Sequence, residues 1–429
     1  MFILYDLIFL VFTLACLPVY LFKGKFHRGF LARLGALPDN LALERPIWVH
    51  AVSMGEVKSI AGLIEELRKI YPAKKFVIST VTPTGNKIAL DLKKPGDLVT
   101  YLPLDFSFIV GRVINRVNPS LFIIAETEIW PNLLTSLYKK GIPIVTVNAR
   151  ISDASFRGYF AIKLLIKPIL DKISLFCSQT EADAARLRKL GVAPSRIKVT
   201  GNMKFDQLTA PLQAAGYREK LSLGLDGKLF IAGSTHQGEE EIILSTYKSL
   251  LNNFPTLKLL IAPRHPERAD ALASLIKGSG FEPAKISVLG PRTREPVNPR
   301  TVFILDTVGE LANFYTAADV VFVGGSLIKR GGHNILEPAS LGKPVIFGPH
   351  MFNFRDIAEM FLKNNAALMA KDENGLVSAV TRILKDNFLA SQLRANAAGI
   401  IALNRGATQK NSAAVGALGL TDGNQSKAE

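Results

Sequence analysis

Cysteine is nearly absent: Cys16 and Cys177 are the only two in 429 residues. No disulfide framework can hold this fold, and a reducing compartment fits. No G-x-G-x-x-G follows an apolar run; after Gly278 and Gly280 the third slot holds Pro283, which disfavours a dinucleotide-binding dehydrogenase. Helix-turn-helix, RNP-type and zinc-finger patterns are also missing, so nucleic acid is not the expected partner despite a net charge of +16. No fixed-period repeat marks a solenoid.

What is present begins with a long apolar run. Residues Met1 to Phe22 carry one charge, Asp6, and reach the roughly 20 residues that a bilayer crossing needs. Lys23, Lys25, Arg28 and Arg33 follow, a bias that places the rest of the chain on the cytoplasmic side. The run lacks the leading positive charges and the small-residue site of a cleaved signal peptide. A single N-terminal span is expected; Asp6 and Pro18 leave open an anchor lying in one leaflet. Residues 1–206 hold 28 basic against 16 acidic side chains and the remainder 24 against 20, so the first half is the part that faces something anionic. Beside an anchor, the economical partner is an anionic inner-membrane lipid surface or a phosphorylated lipid.

Short apolar runs then alternate with helix-period segments. PIWVHAVS, FVISTV, LFIIAET, PIVTVNA, LFCSQT and IKVTGN read as one set of strands; LFIAGST, KLLIAP, TVFILD, VVFVGG and PVIFGP read as a second. The expected organisation is an α/β chain of two doubly wound domains facing a cleft: anchor 1–22, first domain 23–206, linker 207–228, second domain 229–420 and a polar tail 421–429.

The segment GGSLIKRGGHNILEP, Gly324 to Pro338, is the most telling. Its glycines would let a phosphate approach the main chain, Asn334 is placed to cap a helix, and Glu337 in the first turn can accept hydrogen bonds from ribose hydroxyls. A plain tight turn with a dipole-complementing acid has the same composition. Other polar groups fall at strand ends: HAVSMGE ending at Glu56, AETEIWPN from Ala125, GNMKFD from Gly201, Gly233 to His236, Ala262 to His265, and Thr307 to Glu310. Ser53 with Glu56 three residues on forms a capping box. Of Glu126 and Glu128, only one is expected to face the site, and Trp130 with Pro131 is expected to pack. Lys204 taken alone is a surface lysine. His236 can contact a phosphate or simply begin a helix.

The combination of an N-terminal anchor with SMGE, ETEIWPN, GNMKFD, APRHPER and GGHNILEP, in that order over nearly the whole chain, closely resembles the Kdo transferases of lipopolysaccharide biosynthesis. The resemblance implies a GT-B fold and inverting transfer of 3-deoxy-D-manno-oct-2-ulosonic acid (Kdo) from CMP-Kdo to a lipid A precursor at the inner face of the inner membrane. It implies no cofactor and no metal in the transfer step, and the chain has no D-x-D motif. Glu56 matches the family's catalytic base, Glu126 its transition-state partner, and Lys204 a cation for the leaving phosphate or the Kdo carboxylate. Pro263 and Arg264 match one nucleotide contact, Val308, Gly309 and Glu310 a second, and Asn334, Ile335, Leu336 and Glu337 a third; Ser234 and Thr235 add phosphate contacts. The family pattern has methionine where this chain has Val308. Competing readings are another GT-B enzyme, a UDP-sugar transferase or 2-epimerase, and a non-catalytic membrane-tethered lipid-binding protein.

Overall fold

The computed structural model describes residues 5–11, 13–15, 29–38, 43–207, 216–224, 227–289, 298 and 300–419. The chain forms two compact units, the first comprising Met1–Gln207 with Asn404–Glu429 and the second Leu208–Leu403.

In the first unit seven parallel strands lie in the order β3-β2-β1-β4-β5-β6-β7. They are β1 (Ile47–His50), β2 (Phe76–Thr80), β3 (Leu98–Tyr101), β4 (Leu121–Ala125), β5 (Ile144–Ala149), β6 (Leu175–Ser178) and β7 (Ile197–Val199). Because helices cover both faces, the central strands are fully buried and mostly apolar, His50, Thr146 and Asn148 being the polar exceptions in β1 and β5. Alternation divides β1 between two cores, Trp48 on one side with Phe122 and Val77, Ile47 and Val49 on the other with Ile60 and Ile123. The strand order reverses between β1 and β4, and loops leaving that switch point are where ligands of such sheets bind.

The second unit repeats the plan in the order β10-β11-β9-β8-β12-β13-β14. Its strands are β8 (Leu229–Thr235), β9 (Lys258–Pro263), β10 (Glu282–Lys285), β11 (Thr301–Ile304), β12 (Val320–Val323), β13 (Val345–Phe347) and β14 (Leu368–Met369). Here the switch point lies between β8 and β12, so the loops after Thr235 and after Val323 meet.

Two expectations need correction. The second domain does not run to residue 420: helix Ala407–Gly416 belongs to the first unit, where it packs on helix Met54–Ile70 with Ala407, Ala414 and Val415 in the core. The linker is shorter as well, since helix Tyr217–Lys220 joins the second unit through Arg218, which donates to the Ala317 carbonyl. Among the described residues no helix is long and apolar enough to cross a membrane. Of the expected anchor, 5–11 and 13–15 are described and helical, while the rest of 1–22 and the tail 421–429 lie outside the described residues.

Candidate active site

In the first unit β1 ends at His50, and an extended Ser53 (φ −116°) caps helix Met54–Ile70, its Oγ 3.4 Å from the Glu56 amide nitrogen. Glu56 folds back over this cap. Its Oε2 accepts the Val52 N–H at 2.8 Å and its Oε1 accepts the Ser53 hydroxyl at 2.9 Å. Capping and a fixed carboxylate are therefore one arrangement. Burial pushes the Glu56 carboxyl up to about 7, the Glu126 charge adds to this, the Val52 and Ser53 hydrogen bonds oppose it, and Glu128 adds a further push. A carboxyl poised near neutrality suits proton abstraction at physiological pH.

Glu126 is the first residue beyond β4, on the other side of the switch point, and adopts φ +59°. That left-handed conformation costs a non-glycine residue on the order of 1 kcal/mol or more and persists where the surroundings impose it. Its N–H is held by the Val147 carbonyl at 2.9 Å, and its Oε1 lies 3.5 Å from Lys204 Nζ. Glu128, whose carboxyl is raised by burial and then by the Glu126 charge, lies close enough to add to the push on Glu56. Strand alternation does not govern the pair, because β4 ends at Ala125. Trp130 packs against the core and Pro131 opens helix Pro131–Lys139, as expected.

Lys204 sits in the 3-10 turn Met203–Asp206, with its N–H on the Asn202 side chain at 3.0 Å. The turn is fixed from two sides. The Met203 N–H donates to Asn148 Oδ1 at 3.0 Å, and the Asp206 carboxylate accepts the N–H groups of Gly406 and Thr408 at 2.7 and 2.6 Å. Asn148 (φ +52°) and Asp206 are not singled out by the sequence, although N-A-R closing a strand and the closing Asp of GNMKFD carry them. Glu56, Glu126 and Lys204, some 150 residues apart along the chain, thus converge.

In the second unit, β8 breaks register between Gly233 and Thr235, with Ser234 at φ +58°. Thr235 is fully buried, and its hydroxyl donates to Glu240 Oε1 at 3.0 Å, while Glu240 holds Arg268 through both oxygens at 2.9 and 2.7 Å. The Thr235 side chain therefore does not offer the expected phosphate contact; its carbonyl instead accepts the Arg264 N–H at 2.9 Å and sets that residue's place after the buried Pro263.

The glycine-rich loop also differs from expectation. Gly324 must be glycine, since a Cβ there would lie 2.6 Å from the Ser234 carbonyl oxygen. The amides of Gly325, Ser326 and Leu327, at 2.6, 2.9 and 2.9 Å, point at the buried carboxylate of Glu239, which also accepts the His236 N–H at 3.2 Å. An internal anion already fills this half of the loop. In the second half, Asn334 Oδ1 accepts the Leu336 N–H at 3.1 Å, the Ile335 and Leu336 side chains are buried, and Glu337 stands near enough to raise the buried Tyr315 phenol further. The Val308 side chain is 86% exposed, so its exchange for methionine leaves the main chain untouched. Gly309 has φ +88°, and Glu310 accepts the Thr307 hydroxyl. His236 pairs with His333, a residue not singled out, through Nε2 atoms 2.9 Å apart.

Comparison with known proteins agrees with this geometry. Residues 28–207 match the family described as 3-deoxy-D-manno-octulosonic-acid transferase (kdotransferase). A 3-deoxy-D-manno-octulosonic acid transferase of Haemophilus influenzae is 38% identical over 90% of this chain and 91% of its own length. One from Chlamydophila psittaci is 32% identical over 89% and 88%. A solved glycosyltransferase structure from Rickettsia africae superposes with a TM-score of 0.58 at 13% identity, covering 88% of this chain and all of the other, so the likeness is one of GT-B-like fold. The chain belongs to the 3-deoxy-D-manno-octulosonic acid transferase family, the glycosyltransferases that transfer Kdo in lipopolysaccharide biosynthesis.

Proposed function

We propose that this enzyme moves Kdo from CMP-Kdo, with inversion, to a hydroxyl of a lipid A precursor, and that Glu56 is the general base. The observation that carries the reading is a half-buried glutamate pinned by the Val52 N–H and the Ser53 hydroxyl, its carboxyl pushed up to about 7 by burial and by the charge of Glu126, itself 3.5 Å from Lys204. Glu56 accepts the proton of the attacking hydroxyl, whose oxygen bonds to the anomeric carbon as the bond to the cytidylate oxygen breaks. Lys204, steadied by Glu126, offsets anionic charge on the sugar carboxylate or the departing phosphate. In the second unit Arg264 offers a guanidinium fork to the phosphate. Gly309 with Glu310, and the main chain and carboxylate of Asn334 to Glu337, bind the nucleoside.

The same reading attaches the chain to a bacterial inner membrane, with its two units on the cytoplasmic side. Three observations support the attachment. The helical residues 5–11 and 13–15 include one acid that ties them to the first unit, Asp6 accepting from Ser107 N–H at 3.0 Å, the Ser107 hydroxyl at 2.5 Å and Asn132 Nδ2 at 2.6 Å. Leu7, Ile8, Leu10, Val11 and Leu14 are left 44 to 62% exposed, an apolar run suited to a lipid phase. Phe108, Leu164 and Leu165 of the same unit are 66 to 90% exposed.

Mass spectrometry of the product formed from CMP-Kdo and a tetraacylated, bisphosphorylated lipid A precursor tests donor, acceptor and number of sugars together. The expected result is a gain of whole Kdo units. Turnover of a UDP-sugar with none from CMP-Kdo would overturn the donor assignment.

A further inference from the structure

The switch point of the second unit gathers more positive charge and more imidazole than nucleoside binding alone requires. His236 follows β8 and His333 lies in the loop after β12; their rings stack with centroids 5.2 Å apart, and their Nε2 atoms are 2.9 Å apart. At that distance one nitrogen carries the hydrogen and the other accepts it, so the pair as it stands has one N–H between two rings. The His265 ring lies 6.0 Å from His236.

The backbone is shaped around this pair. Gly325, at φ +68°, lies directly under both rings: a Cβ there would come within 3.1 Å of His333 and 3.5 Å of His236. Glu239, buried below, fixes both supporting strands' loops by accepting the N–H groups of Gly325 and of His236 itself. The charged groups that face the imidazoles are Arg264, His265 and Arg268 from the segment after β9 and Arg330 from the loop after β12. Of the nearby acids, Glu240 is engaged by Arg268, Glu267 by His265 at 3.3 Å, Glu239 by four main-chain amides, and Glu241 by the Gly238 N–H. Burial and then the surrounding cations keep both imidazoles neutral at pH 7, His333 pushed down to about 3 by burial, Arg264 and the other two histidines.

We propose that the His236–His333 pair is the leaving-phosphate subsite: it takes up one proton when a cytidylate diester binds and gives that proton to the phosphate oxygen released on transfer. This deepens the donor assignment above and rests on it. An anionic phosphodiester placed beside Arg264, Arg268 and Arg330 offsets the cationic share of what keeps the rings neutral, and two imidazoles already joined Nε2 to Nε2 can take one added proton as an imidazolium whose Nε2–H the second ring accepts. The step balances. The acceptor oxygen forms its bond to the anomeric carbon and its proton goes to Glu56; the electron pair of the breaking carbon–oxygen bond stays on the phosphate oxygen, which the imidazolium protonates, so that CMP leaves as its monoanion and the pair returns to neutral.

The test is calorimetric titration of the full-length protein with the methyl ester of CMP, whose phosphate keeps a single negative charge throughout, between pH 6 and 8 in buffers of different ionisation enthalpy. The wild-type protein is expected to take up about one proton, with affinity rising roughly tenfold for each pH unit lowered. His333→Gln and His236→Gln, each with an unchanged melting curve, are expected to bind with no uptake and no pH dependence. Ester binding by the wild type without proton uptake, or uptake undiminished in both variants, overturns the subsite while leaving the donor assignment standing. Absence of any binding overturns both. The wild-type proton count decides the matter even if a variant fails to fold.

Discussion

At the scale of single residues the site is a set of carboxylates given different tasks by their surroundings. Glu56, half-buried, and Glu239, fully buried, are both acids raised by burial, yet Glu239 is enclosed by four amides and serves as an internal anion. Glu56 keeps only two hydrogen bonds and a pKa near 7. Glu239→Gln leaves one acceptor oxygen for four donors and turns an NH₂ toward amides, so it should destabilise the protein by about 3 kcal/mol, read from urea denaturation followed by a probe in the second unit. Lys204→Met should lower kcat by one to two orders of magnitude with little change in affinity for CMP, since the cation acts where charge develops in transfer. An equal loss of CMP affinity would move Lys204 into ground-state binding. Glu126, Asn148 and Ser234, at φ values from +52° to +59°, mark the ends of β4, β5 and β8. No residue type announces such strain, which explains why Asn148 was illegible while Glu126 was found only through its motif.

Among the elements, the apolar strands buried on both sides were readable as runs of β-branched and aromatic residues; β1, β4, β5, β8, β9 and β12 all fall where the runs place them. The three strands not anticipated are of another kind. β3 has only alternate residues buried, β10 is exposed or half-buried along its length, and β14 is two residues long; all stand at or near sheet edges, where burial no longer demands a continuous apolar run. Helix Ala407–Gly416 was assigned to the wrong unit for a similar reason. Its contacts are made by small residues, Ala407, Ala414 and Asn411, whose partners lie more than 200 positions earlier, and sequence spacing carries no such pairing. Asp206 closes the start of this helix, accepting from Gly406 and Thr408. Asp206→Ala should therefore cost about 1 to 2 kcal/mol in the first unit. It should also loosen the turn that carries Lys204, lowering kcat together with stability. Full activity in a measurably destabilised variant would separate the helix from the site.

For the whole molecule, the proposed membrane attachment and the proposed chemistry fall to different residues and should separate experimentally. Replacing Leu7, Ile8, Leu10 and Val11 with serine keeps the Asp6 anchor on Ser107 and Asn132 but removes exposed apolar surface. Cosedimentation with anionic vesicles should fall several-fold and turnover of a vesicle-borne acceptor with it, while turnover of a detergent-solubilised acceptor stays within about twofold. Equal losses in both assays would contradict a purely attaching role. Both units carry their polar clusters where their strand order reverses, Glu56 and Glu126 after β1 and β4, His236 and the glycine loop after β8 and β12. The central claim, that Glu56 accepts the acceptor's proton, is tested most directly by kcat as a function of pH at saturating substrates for wild type and Glu56→Gln. A base must be ionised to act, so wild-type kcat should rise with pH through a midpoint near 7. The variant should turn over about 10² to 10⁴ times more slowly, with that limb gone and CMP affinity intact. A variant that keeps the wild-type rate, or the same limb, contradicts the account.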